Sequence, residues 1–180
     1  ALTGYGNEAL KSLIKNKQNV ILLVTRKEKG LFPYYREENI VRLAKRLDIP
    51  VSYRLPVELL PRIKKAKPDL ILVASYHRLI PKEIYQLARF AVNIHPSLLP
   101  KHKGAKPTLS ALINGDKITG LTAHFLTEQF DSGSVIFQQK VKICRDECDC
   151  SLRRKLATKL KTFIPELLIV INQRSIQCEH

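Results

Sequence analysis

Methionine is missing from all 180 residues, and acids are scarce: 16 Asp and Glu stand against 31 Lys and Arg, a formal net charge of +15 at pH 7. Also missing is any apolar run approaching the roughly 20 residues of a membrane-spanning helix, which argues against a helical membrane anchor or a membrane partner. No secretory leader pattern is present at Ala1, so the expected location is the cytoplasm. The few cysteines, four at irregular spacing, do not form a disulfide framework in a domain this large. There is no internal repeat, no low-complexity tract and no composition break, so residues 1–180 read as a single domain. With methionine absent and Ala1 first, either an initiator stretch precedes Ala1 or some spacings below are a residue short.

What is present is globular: 44% hydrophobic and 26% charged residues, enough to bury a core without covalent staples. The positive excess is spread along the chain, with clusters at Arg62–Lys67, Lys101–Lys106 and Arg153–Lys161. Such a field attracts anions, whether phosphorylated metabolites, polyglutamylated cofactors or nucleic acid. The last cluster has a plainer explanation, since Leu152, Leu156 and Leu160 define an inward helix face whose solvated side it forms.

Apolar runs at 19–25, 70–76 and 91–95 predict strands buried on both faces. Amphipathic segments between them predict helices at 5–16, 40–49 and 56–67, with a short helix over 106–116 that stops near Gly115. Two further β-runs flank a turn at Asp131-Ser132-Gly133, and a long helix, interrupted or kinked near Pro165, follows to about residue 172. Strands alternating with helices predict an α/β domain: one doubly wound, mostly parallel sheet with a C-terminal helix. Ligands of such sheets sit beyond the carboxyl ends of the strands, where the run AVNIH places Asn93 and His95.

Residues two apart on a strand share a face, so an amide and an imidazole project together from that end. An Asn donates a neutral hydrogen bond suited to a carbonyl oxygen or oxyanion. A His donates to the same oxyanion or moves a proton, and an Asp beside it fixes its tautomer or relays a proton through water. Asp131, in the distant turn, is the candidate partner, its pKa expected to be raised by partial burial. No activated Ser or Cys nucleophile accompanies them, Ser97 serving to shape its loop, so direct attack by a substrate amine on a carbonyl fits better than a covalent intermediate.

The stretch NIHPSLLPKHKG, with FDSG downstream, strongly resembles the folate-dependent formyltransferase family: an Asn-x-His strand end, a Ser-Leu-Leu-Pro loop, a glycine shortly after, and a later Asp-x-Gly. The resemblance spans nearly the whole chain and implies a Rossmann-like core. It implies an N-formyltransferase using 10-formyltetrahydrofolate as co-substrate. Asn93 would hold the formyl oxygen, His95 would stabilise the oxyanion, and Asp131 would position His95 and a relay water. Arg78, Leu79 and Ile80 would form one wall of the pterin site, and Glu128, Gln129 and Phe130 the other. Gly4, Gly6, Asn7 and Gly104 would contact the acceptor. His124 matches a position that is His in some members, and is expected to be a partly buried strand histidine.

The acceptor is less legible. GYGNEAL lacks the Ser-Asn pair with which glycinamide ribonucleotide enzymes grip a phosphate, and Glu8 adds negative charge there. GAKP and the segment after the second strand look closer to the tRNA and sugar-nucleotide branches, though the extra C-terminal structure of those branches is not seen. The favoured acceptor is an anionic, amine-bearing small molecule, a phosphorylated metabolite or amino-sugar nucleotide. The alternatives are a tRNA-directed core, glycinamide ribonucleotide, and a non-catalytic folate- or nucleic-acid-binding relic. CRDECDC, with Cys144, Cys148 and Cys150, would need Cys178 or His180 to complete a metal site, and its spacing favours free thiols and no metal.

Overall fold

The computed structural model describes residues 4–26 and 40–177, the last three by their backbone alone. The expected strand tail before Gly4, most of the loop 26–39, and Cys178 and His180 lie outside the described residues. In chain order the elements are α1 (Tyr5–Lys15), β1 (Leu23–Val24), α2 (Ile40–Arg46), β2 (Val51–Ser52), α3 (Leu60–Ala66, preceded by a 3₁₀ turn), β3 (Leu70–Ala74), α4 (Lys82–Tyr85), β4 (Phe90–His95), α5 (Pro107–Ile113), β5 (Ile118–Phe125), β6 (Val135–Lys142) and α6 (Asp149–Gln177). The α/β class, the Rossmann-like core and the C-terminal helix are those expected.

The described strands fall into two sheets, a parallel pair β1-β2 and a four-stranded sheet in the order β3-β4-β5-β6. β3 and β4 run parallel, whereas β4-β5 and β5-β6 are antiparallel. The β5–β6 pairing follows from its short connection, which turns at 131–133 with no helix to carry the chain back and so joins antiparallel neighbours. β1 and β3 line a cavity of about 500 Å³ between the two sheets, roofed by Gly6, Ala9, Leu10 and Leu13 of α1. For that reason the run 19–25 is not the doubly buried strand expected: only Leu23–Val24 pair, and Ile21 is 40% exposed.

α6 supplies the main core. Leu152, Leu156, Leu160, Phe163, Ile164 and Leu167 recur at three- and four-residue spacing, so they form one stripe that packs with Val92, Ile94, Leu121 and Ala123 of the sheet. The helix runs on through Pro165, so it is not interrupted there. Its basic side is also less bare than expected. Arg153 pairs with Asp149, and Lys155 with Glu147 and the Lys142 carbonyl. β4 is buried at five of six positions, the partial exception being Asn93.

Candidate active site

Asn93 and His95 leave the same face of β4 near its carboxyl end. The antiparallel register sets His124 of β5 opposite Asn93, and Thr122 opposite His95. Asp131 comes from the β5–β6 turn at φ 52°, a left-handed backbone that Asp tolerates. Gly133 lets that turn close, because a Cβ there would overlap the Phe125 carbonyl.

The three expected side chains meet. Asp131 Oδ1 lies 3.3 Å from His95 Nδ1 and 3.5 Å from Asn93 Nδ2, while Oδ2 accepts the Gly104 N–H at 2.8 Å. His95 Nε2 donates to the His102 carbonyl at 2.9 Å. Both imidazole nitrogens thus face groups that only accept, so the ring can hold a proton on either. Burial works to raise the Asp131 carboxyl, but contact with the His95 ring, the Gly104 N–H and the charge of His95 outweigh it. The result is an acid well below the usual carboxylate range, which reverses the expected upward shift. Asp131 is an anion at any ordinary pH.

His124 lies on a strand, β5, as expected, but is fully rather than partly buried. It is 2% exposed, with Nδ1 2.9 Å from the Phe125 carbonyl and Nε2 3.0 Å from Asn93 Nδ2. No motif spacing distinguishes it; the β4–β5 register that sets it against Asn93 is a tertiary fact. The same holds for the groups that fasten the loop 96–106. Ser97 Oγ donates to the Lys101 carbonyl at 2.6 Å, so Ser97 shapes this loop as read from the sequence. Thr122 Oγ1 donates to the Ser97 carbonyl and accepts from Leu99 N, and Gln138 donates to the Leu99 carbonyl. His102 pairs with Asp116 at 2.7 Å, anchoring the residue whose carbonyl receives His95. Nothing in the sequence marks His102 or Asp116, because their pairing is set by the fold of the loop.

The remaining site candidates lie around this centre or apart from it. Arg78, Leu79 and Ile80 follow β3, whose carboxyl end is beside that of β4 through the Ala74–Ile94 pairing; Leu79 is 43% exposed and Ile80 lines the inter-sheet cavity. Glu128, Gln129 and Phe130 are exposed on the turn leading into Asp131, Phe130 by 55%. Gly104 touches the site through its N–H to Asp131. Gly4 caps α1, and Gly6 and Asn7 are buried in its first turn. Cys144, Cys148 and Cys150 are free and exposed, and among the described residues no group of three or more His, Cys, Asp or Glu could hold a metal ion.

An ionised, buried Asp, a histidine able to donate and an amide donor converge on one point, which suits stabilising an oxyanion while a proton is moved. Residues 3–168 match the formyl transferase family. A methionyl-tRNA formyltransferase of Kosmotoga olearia is 31% identical over 179 residues, covering 96% of this chain and 58% of that protein. One from Thermodesulfovibrio yellowstonii is 32% identical over 155 residues, covering 83% and 50%. The chain spans about half the length of these curated relatives. Among solved structures, a phosphoribosylglycinamide formyltransferase from Bacillus halodurans superposes with a TM-score of 0.77 at 26% identity, covering 95% of this chain and 90% of that one.

Proposed function

We propose a function from one premise: the chain belongs to the formyl transferase family. Residues 1–180 act as a single catalytic domain that moves a formyl group from 10-formyltetrahydrofolate, the family's donor, to a primary amine. The observation that carries this reading is the convergence of Asn93, His95 and Asp131, within 3.5 Å of one another through Asp131 Oδ1.

The chemistry follows from the donors and acceptors in place. The acceptor amine attacks the formyl carbon, and the carbonyl oxygen gains the negative charge. Asn93 donates to that oxygen, and His95 does so once its Nε2 N–H turns from the His102 carbonyl. The attacking nitrogen loses a proton, the bond from the formyl carbon to N10 of the folate breaks, and N10 takes up a proton. The products are the formamide and tetrahydrofolate. Asp131, ionised, orients the His95 ring and the water that relays the proton. The pterin lies against the 78–80 loop and the 128–130 turn, where Leu79 and Phe130 offer exposed apolar surface.

The acceptor is an anion that carries the amine, in keeping with a chain of net charge +15. A small phosphorylated metabolite or amino-sugar nucleotide is one reading. The sequence relatives support the other, the amino group of a methionyl-tRNA, because they bear that name at 31–32% identity over most of this chain. Gly4, Gly6, Asn7 and Gly104 are the acceptor-side candidates in either case.

Turnover of 10-formyltetrahydrofolate, followed by absorbance, tests the reading with wild type and His95→Ala. The acceptors are methionyl-tRNA, glycinamide ribonucleotide and amino-sugar nucleotides. Turnover with one acceptor, lost in the variant, is the expected result. A protein that binds no folate contradicts it.

A further inference from the structure

We infer that His124 is a positioning residue: by holding one tautomer, it orients the Asn93 amide so that a single N–H is left for the formyl oxygen. The inference rests on the formyl-transfer reading for its consequence, but not for its geometry. His124 Nδ1 lies 2.9 Å from the Phe125 carbonyl, which only accepts, so Nδ1 carries the proton. In the neutral ring Nε2 is then a bare lone pair. Its neighbour at 3.0 Å is Asn93 Nδ2, which donates to it. The opposite orientation of the amide would set Asn93 Oδ1 against that lone pair, two acceptors facing each other at a ring only 2% exposed.

Asn93 therefore has one N–H committed to His124. Its second N–H faces Asp131 Oδ1 at 3.5 Å, the limit of a hydrogen bond, and is readily exchanged for a better acceptor. A formyl oxygen is such an acceptor. Nε2 also approaches Asp131 Oδ1 at 3.5 Å, but with the proton on Nδ1 that contact is not a donation. Asp131 keeps its charge through the Gly104 N–H and His95 regardless. The Phe125 carbonyl that fixes the tautomer is itself held, since the Phe125 N–H donates to the Ser134 carbonyl and the Gly133 backbone packs against it. The turn that delivers Asp131 thus also sets the proton on His124.

The test uses the full chain and three readouts. Imidazole ¹⁵N chemical shifts of His124 in the wild type should show Nδ1 protonated and Nε2 bare; the reverse tautomer, or a doubly protonated ring at neutral pH, overturns the inference. His124→Leu keeps bulk but offers Asn93 no acceptor, so kcat should fall on the order of 10- to 100-fold with the folate KM within about twofold. His124→Gln, whose Oε1 can accept from Asn93, should recover most of the rate. An unchanged kcat in His124→Leu, or a Gln variant as slow as the Leu variant with both folded by thermal melt, overturns it. Should the Leu variant not fold, the Gln variant and the tautomer decide. A wild type inactive with every acceptor would sink the formyl-transfer reading instead, while the chemical shifts still report the tautomer.

Discussion

Asp131 shows how a single residue is tuned by what surrounds it. Its carboxyl is buried, which alone would raise its pKa, yet the His95 imidazole and the Gly104 N–H more than compensate. A folded pKa below the unfolded value stabilises the protein above about pH 4, and that contribution drains away as pH falls toward the folded value. The melting-temperature difference between wild type and Asp131→Asn should therefore be largest near neutrality and shrink below about pH 4. The same variant should lose on the order of 100-fold or more in kcat while folate affinity holds, as measured by turnover and by ligand titration. Equal loss of affinity would make Asp131 structural. At Gly133 the constraint is steric rather than electrostatic. A methyl there overlaps the Phe125 carbonyl, so Gly133→Ala should destabilise by about 1–3 kcal/mol in denaturant titrations. Activity should fall further than stability explains, because the same turn carries Asp131.

Between strand and helix, the element that matters most is the loop 96–106, held from three sides. Ser97 closes it internally, Thr122 and Gln138 tie it to the sheet, and the His102–Asp116 pair pins it to the end of α5. The Asp116 carboxyl is held below its ordinary value chiefly by its hydrogen bond with His102. An amide at Asp116 can still accept from His102, so Asp116→Asn should cost less than about 1 kcal/mol of global stability. Its effect should appear locally instead, as faster amide exchange over 101–104 and a several-fold drop in kcat, because His95 leans on the His102 carbonyl. A kcat equal to wild type would separate loop anchoring from catalysis.

Across the whole molecule, two features act together: an α/β scaffold that brings strand ends to one edge, and a net charge of +15. Among the described residues no helix is long and apolar enough to cross a membrane. Long-range positive potential speeds encounter with anions and is screened by salt. If the acceptor is methionyl-tRNA, its KM should rise at least about tenfold between 50 and 200 mM salt, as several phosphate contacts release counterions. The KM of folate should move much less. A salt-independent acceptor KM would point to a small acceptor held by local contacts.

Residues 93–95 and 131–133 could be read directly from the sequence, since their chemistry and order need no distance to recognise. So could the inward stripe Leu152, Leu156 and Leu160, because a helix fixes its own periodicity. The division of the described strands into two sheets, the continuity of α6 across Pro165 and the downward shift of Asp131 were not legible. Each depends on groups distant in the chain: α6 rests on a packed sheet, and the carboxyl answers to Gly104 and His95. His124 is the clearest case. The sequence by itself determined the candidate residues, Asn, His and Asp in order; only the antiparallel register of β4 and β5 decided that His124 meets Asn93, because a cross-strand neighbour is set by pairing and not by spacing along the chain.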